Sequence, residues 1–193
     1  IGKVVVTFLD RSQAFGESQW AFRPNRSCRD LIVLLICSWL LAGHNKQKVG
    51  LFLSDISGAF DRVDTTYLLM KCRRAGLSKT VPTFLASFFA PRRAQVVVQG
   101  VMSKVLVLSN QVFQGTVLGP PMWNTFFADV ALAAGADAFR EAIFADDLNS
   151  YKEYTTELPN HVVTDDLKQC QKRVHEWGRR NCVLFDLTKE EFK

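Results

Sequence analysis

The chain has 193 residues, 48% hydrophobic and 22% charged, which is enough apolar material for one sizeable core and a small appended lobe, so a folded protein is expected rather than a disordered one. A formal net charge of +5 leans toward an anionic partner such as nucleic acid. The five cysteines, Cys28, Cys37, Cys72, Cys170 and Cys182, show no C-x-x-C spacing, which argues against a disulfide framework or a zinc site and for a reducing intracellular compartment.

The opening stretch "IGKVVVTFLDRS" lacks a basic region followed by a small-residue cleavage site, and it lacks an initiator Met. No secretory signal is visible, and an excised fragment is expected. The run "LIVLLICSWLLAG" at 31–43 contains Ser38 and is shorter than the ~18 apolar residues of a membrane span. It reads as a buried helix over 31–42, opened by a capping box of Ser27 and Asp30 and ended by Gly43. "VGLFLSD", 49–55, reads as a buried strand that delivers Asp55 to its end.

Asp64 caps a helix that runs through Ala75 to Gly76, and a second helix from Ser78 to Phe89 is stopped by Pro91. β-branched residues on both sides of Gly100 predict a hairpin. The loop "NQVFQGTVLGPP" then leads into a helix "MWNTFFADVALAAG" that Gly135 ends. "AIFADDLNSY", 142–151, places Asp146 and Asp147 between apolar runs. An amphipathic helix follows from Thr164 to about Arg180, with Asp165 and Asp166 adding negative charge at its start. "CVLFDL", 182–187, reads as a strand. Helical and strand patterns without repeats or linkers indicate α+β or α/β layers.

Two acidic sites therefore follow apolar strand-like segments. A sheet that sets those strands side by side gathers Asp55, Asp146 and Asp147. Clustered carboxylates repel, and a hard cation with oxygen ligands relieves that cost best. Mg²⁺ is the natural candidate, and two such ions form the clamp used in phosphoryl transfer. An Asp-Asp pair is also a common turn element, so "ADD" alone favours a structural reading over a catalytic one, and the order of all the motifs changes that weight.

"SDISGAFDRVD", "QGTVLGPPMWN" and "FADD", in this order and spacing, resemble the palm motifs A, B and C of reverse transcriptases. "SQWAFRPNRSCRD", 18–30, is similar to the segment ahead of the palm in the non-LTR (LINE-like) retrotransposon group. The resemblance implies an α+β right-hand polymerase palm, a small mainly antiparallel sheet backed by helices. Residues 1–48 would be a partial fingers segment and 49–193 the palm, with the upstream fingers strands and the thumb lying outside the chain.

The resemblance assigns catalytic and metal-binding roles to Asp55, Asp146 and Asp147, with two Mg²⁺ ions as cofactor and Mn²⁺ as the alternative. Phe60 matches the steric gate that excludes a 2′-hydroxyl. Gln114 and Gly115 match the loop lining the nucleotide pocket, where glycine lets backbone approach a ligand. Lys189 weakly resembles a lysine acting as acid toward pyrophosphate, the usual Gly-Leu and Lys-Thr pairs around it being missing and a solvated surface lysine being the equal alternative. Arg23, Arg26 and Arg29, interleaved with Trp20 and Phe22, are expected to contact nucleic acid, the alternative being that the aromatics anchor the segment.

The implied activity of the complete parent is RNA-directed DNA polymerisation, with an RNA template, a DNA primer and dNTP as partners. The expected location is intracellular, and nuclear for a eukaryotic element. Ser57-Gly58, where relatives often carry a charged pair, and the eroded 177–190 segment keep open a decayed or domesticated nucleic-acid-binding domain. A two-metal phosphodiesterase is the third alternative.

Overall fold

The computed structural model describes residues 2–193. Helix α1 (Gly2–Arg11) is followed by a loop and then by α2 (Cys28–His44). The capping box forms as expected: Ser27 Oγ accepts from the Asp30 amide at 3.2 Å, and the Ser27 amide donates to the Asp30 carboxylate at 3.1 Å. Strand β1 (Gln47–Ser54) leads through a 3₁₀ turn at Ala59–Arg62 into α3 (Thr65–Arg74). Asp64 caps α3 by accepting from the amides of Thr66 and Tyr67 at 2.9 and 3.0 Å. Helix α4 (Thr80–Phe88) comes next.

The hairpin around Gly100 consists of β2 (Arg92–Ala94), β3 (Val97–Val98), β4 (Val101–Met102) and β5 (Leu106–Leu108), with β2 paired to β5 and β3 to β4. Gln99 and Gly100 both have positive φ, 49° and 80°, as a two-residue turn between right-twisted strands demands. Helix α5 (Gly119–Phe127) passes through a 3₁₀ turn into α6 (Ala131–Ala134). Pro120 and Pro121 lie in its first turn, where no intrahelical N–H is missed. Strands β6 (Arg140–Phe144) and β7 (Asp147–Thr155), helix α7 (Asn160–Asn181) and strand β8 (Glu191–Phe192) complete the chain.

The main sheet has the order β6-β7-β1-β8 and is antiparallel throughout. Side chains alternate across it. Phe52, Leu148 and Tyr154 join the larger core with Val163, Leu167 and Val174 of α7 and with Trp123, Phe126 and Phe127. Leu31 and Tyr151 form a smaller cluster with Leu35, Trp39, Val49 and Leu51, through which α2 covers the sheet. Each large apolar side chain buried in this way contributes about 1.5–3 kcal/mol.

Four expectations need correction. Helix α2 is not buried: only Leu31 and Ala42 are, and Ile32, Val33, Leu40 and Leu41 are exposed, because one face lies on the sheet and no layer of the described residues covers the other. No described helix is long and apolar enough to cross a membrane. Helix α7 starts at Asn160, so Asp166 lies past its first turn and instead accepts from Lys152 Nζ at 2.7 Å and Tyr154 Oη at 2.9 Å. The helix read from Met122 begins at Gly119 and is interrupted by the 3₁₀ turn. The strand read at 182–187 is reduced to one bridge, Phe185 to Ile56, because Val183 turns back onto α7, its amide donating to Gly178 O at 2.9 Å.

Gly50 sets the contact between β1 and α7, since a Cβ there would lie 2.9 Å from both Tyr154 Cε2 and Val163 Cγ1. Gly50→Val is therefore expected to lower unfolding stability by about 1–3 kcal/mol in urea titrations, the usual cost of overpacking. Wild-type stability would show that this contact yields freely.

Candidate active site

The antiparallel register of β1 and β7 runs from Gln47 opposite Thr155 to Ser54 opposite Leu148. One further step sets Asp55 opposite Asp147. The same alternation directs both carboxylates to the face that α2 shares and away from Phe52 and Leu148. Asp146 occupies the two-residue turn between β6 and β7, together with Ala145. Ala145 has φ +60°, a conformation that costs an alanine roughly 1–2 kcal/mol.

Surrounding groups hold that turn in place. Gln19 is buried, and its amide is used at both ends: Nε2 donates to Ala145 O at 3.0 Å, and Oε1 accepts from the Ala145 amide at 2.9 Å. Trp123 Nε1 donates to the same carbonyl at 3.0 Å. Residues 18–20 run parallel to β6, with the Trp20 amide bonded to Ile143 O and the Ile143 amide to Ser18 O, both at 2.9 Å.

Asp146 is half-buried. Burial pushes its pKa above the ordinary carboxylate value, and the charges of Asp55 and Asp147 add to that effect while Lys189 opposes it. Asp147 moves the same way through burial and the charge of Asp55. Lys189 Nζ lies 2.5 Å from Asp55 Oδ2 and 3.9 Å from Asp186 Oδ2. Its pKa is raised, first by the hydrogen bond to Asp55 and then by that group's charge. Of the residues read as catalytic or nucleotide-binding, the structure thus brings together Asp55, Asp146, Asp147 and Lys189.

Among the described residues, no group of three or more His, Cys, Asp or Glu side chains is arranged to hold a metal ion as it stands. The donor set nonetheless fits one kind of cation. The three groups are hard oxygen donors, and the charge of Asp55 acts on both Asp146 and Asp147 in the direction that favours their neutral forms, a cost that a cation relieves. Mg²⁺ takes only one or two carboxylates from a protein and the rest of its shell from water and phosphate.

The Phe60 ring stacks on Trp123 with centroids 5.5 Å apart and meets Phe22 edge-on at 6.3 Å. Its carbonyl accepts from the Val112 amide at 2.7 Å, which ties the 3₁₀ turn to the loop carrying Gln114 and Gly115. Both loop residues are exposed, and Gly115 has φ +77° with open space where a Cβ would stand.

The three arginines differ. Arg23 donates to Gly16 O at 2.5 Å and to Asp10 at 3.1 Å, and it lies over Phe15. Arg26 donates to the carbonyls of Glu17 and Gln19 and lies over Trp20. Both guanidinium groups brace the loop that presents Gln19. Arg29 is exposed on the first turn of α2.

The family described as "Reverse transcriptase (RNA-dependent DNA polymerase)" matches residues 1–192. The chain belongs to the reverse transcriptase family. It is 28% identical over 179 residues to the RNA-directed DNA polymerase from mobile element jockey of Drosophila funebris, covering 90% of this chain and 19% of that protein. The jockey polymerase of Drosophila melanogaster is 32% identical over 127 residues, 65% of this chain and 14% of that protein. These relatives agree with the non-LTR retrotransposon type read from the motifs. The chain spans less than a fifth of their length.

Among solved structures, telomerase from Candida albicans in complex with a TWJ fragment of telomeric RNA superposes with a TM-score of 0.71 at 12% identity, covering 100% of this chain and 35% of that one. Apo telomerase from Candida tropicalis, truncated from its C-terminal domain, gives 0.66 at 12% identity, covering 100% of this chain and 39% of that one. At such identity the likeness concerns the fold, and it agrees with a polymerase palm.

Sequence reading missed Gln19 and Trp123. Gln19 and Trp123 sat inside quoted motifs, but nothing in their spacing marks a brace for a turn more than 20 residues away in sequence.

Because the folded pKa of Asp146 is raised, ionising it costs folding stability. That cost is absent below the unfolded carboxylate pKa of about 3.9 and is complete once pH has risen through the higher folded value. Asp146→Asn is therefore expected to melt higher than wild type at pH 7 in EDTA and to lose that advantage near pH 3. Equal melting at pH 7 would contradict the crowding of these carboxylates.

Proposed function

We propose that this chain is the catalytic palm of an RNA-directed DNA polymerase, which extends a primer 3′-hydroxyl with deoxynucleotides on an RNA template. The observation that carries this reading is the β1–β7 register, which sets Asp55 beside Asp146 and Asp147 in a chain matched almost end to end by the reverse transcriptase family. Asp55, Asp146 and Asp147 would hold two Mg²⁺ ions, which when bound stabilise charge on the attacking and leaving oxygens.

The protein's own groups do the rest. Phe60, fixed against Trp123, presents bulk beneath the incoming sugar and excludes a 2′-hydroxyl. Gln114 contacts the nucleotide or template, and Gly115 lets backbone approach it. Lys189, protonated through its contact with Asp55, has a proton to deliver to the pyrophosphate leaving group. Arg29 is the nucleic-acid contact of the arginine cluster, with Arg23 and Arg26 acting through the loop they brace. Residues 1–48 serve as part of the fingers and 49–193 as the palm.

Primer extension on an RNA template by the full-length parent tests this reading. Asp146→Ala is expected to abolish Mg²⁺-dependent incorporation, and equal incorporation by variant and wild type would reject the assignment. Degradation of a labelled strand without dNTP would favour a nuclease instead. Phe60→Val is expected to raise ribonucleotide use relative to deoxynucleotide use in the same assay, and unchanged discrimination would remove the gate.

A further inference from the structure

Glu190 lies next to the carboxylate site and faces away from it, toward α7. Its side chain is only 4% exposed, although it lies on a chain end whose neighbours Lys189 and Glu191 are exposed. Three groups converge on it. His175 Nε2 lies 2.6 Å from Oε1, Gln171 Nε2 donates to Oε2 at 2.6 Å, and Ser54 Oγ donates to Oε1 at 3.0 Å. His175 is held in turn by Phe185, whose ring is stacked on the imidazole at 5.5 Å with an interplanar angle of 10°.

A buried carboxylate with three partners is costly to displace, because moving it strands the groups left behind. The backbone on either side is tied as well. The Asp186 amide donates to Asp55 O at 3.0 Å, and Lys193 exchanges two 2.9 Å hydrogen bonds with Leu51. Successive residues on a strand edge point to opposite faces. With Glu190 fixed toward α7, Lys189 is directed to the other face, where Asp55 lies 2.5 Å from its Nζ.

We propose that His175, Gln171 and Ser54 form a clamp on Glu190 whose role is to position Lys189 over Asp55, making Glu190 and His175 positioning residues of the nucleotidyl-transfer site. The clamp stands in for tight packing at this point. Lys189 is 60% exposed and has few contacts to locate it other than Asp55 and Asp186. The functional part of the proposal rests on the polymerase reading above.

Competitive acetylation of the full-length protein with acetic anhydride, read lysine by lysine by mass spectrometry, tests the clamp without requiring activity. Wild-type Lys189 is expected to label more slowly than exposed Lys104. Glu190→Ala is expected to raise Lys189 labelling about two- to fivefold, the range of one exposed ion pair, with Lys71, buried against Asp129, unchanged. Glu190→Gln, of the same size and able to keep the Ser54 bond, is expected to give a smaller rise. If Glu190→Ala also exposes Lys71, the fold has loosened, and His175→Ala becomes the deciding variant with the same expectation for Lys189. Unchanged Lys189 labelling in that variant overturns the clamp.

A kinetic arm separates positioning from mere structure. In primer extension, the kcat lost by Glu190→Ala is expected to vanish in a Lys189→Ala background. Independent, additive losses would reduce the cluster to a structural one and overturn the positioning role. Retained activity in Asp146→Ala would instead reject the polymerase reading, leaving the labelling result to stand or fall by itself.

Discussion

The pairing of β1 with β7 is the constraint on which everything else depends. Asp55 and the Asp146-Asp147 pair are about ninety residues apart in sequence, and only the antiparallel register that ends at Ser54 opposite Leu148 makes them neighbours. Because side chains alternate along a strand, a slip of one residue would send Asp55 to the α7 face and Phe52 to the face under α2. The register is fixed by the burial of Phe52, Leu148 and Tyr154 against α7 and by Val49, Leu51 and Tyr151 under α2. Core packing and site geometry are thus one specification rather than two.

The acidic turn works against that stability, and the protein compensates locally. Two like charges adjoin a third, and a backbone residue sits in a left-handed conformation that alanine resists. Gln19 and Trp123 satisfy both polar groups of Ala145, which holds the strained turn in one place. Arg23 and Arg26 stabilise the loop that carries Gln19. Lys189 offsets the charge from the opposite side. Strain and like-charge crowding concentrated at one turn are what a site prepared for a cation and phosphate would carry.

Much of this was legible in the sequence because the signals are local. The Ser27–Asp30 box, the Asp64 cap, the Gly100 hairpin and the strand ending at Asp55 each depend on a few adjacent residues with a definite chemical preference. The carboxylates were legible through motif order. The failures have a common cause in tertiary contacts. Helix α2 reads as buried because it is apolar on all sides, yet burial depends on which layers exist to cover it. Asp166 reads as helix-end charge, but Lys152 and Tyr154 of β7 claim it. That Arg23 and Arg26 also donate to carbonyls of their own loop carries no signal in one dimension. Glu190 shows no pattern in one dimension because its partners lie on α7 and β1.

The central claim is that Asp55, Asp146 and Asp147 share one cation site created by the β1–β7 register. Mn²⁺ binding by the full-length protein, followed by electron paramagnetic resonance of the free ion, tests it most directly. Asp55→Asn and Asp146→Asn should each weaken the tightest site by at least about tenfold, since even the loss of an outer partner of a metal ligand has an effect of that order. Mn²⁺ binding of equal strength in wild type and both variants would contradict a shared site.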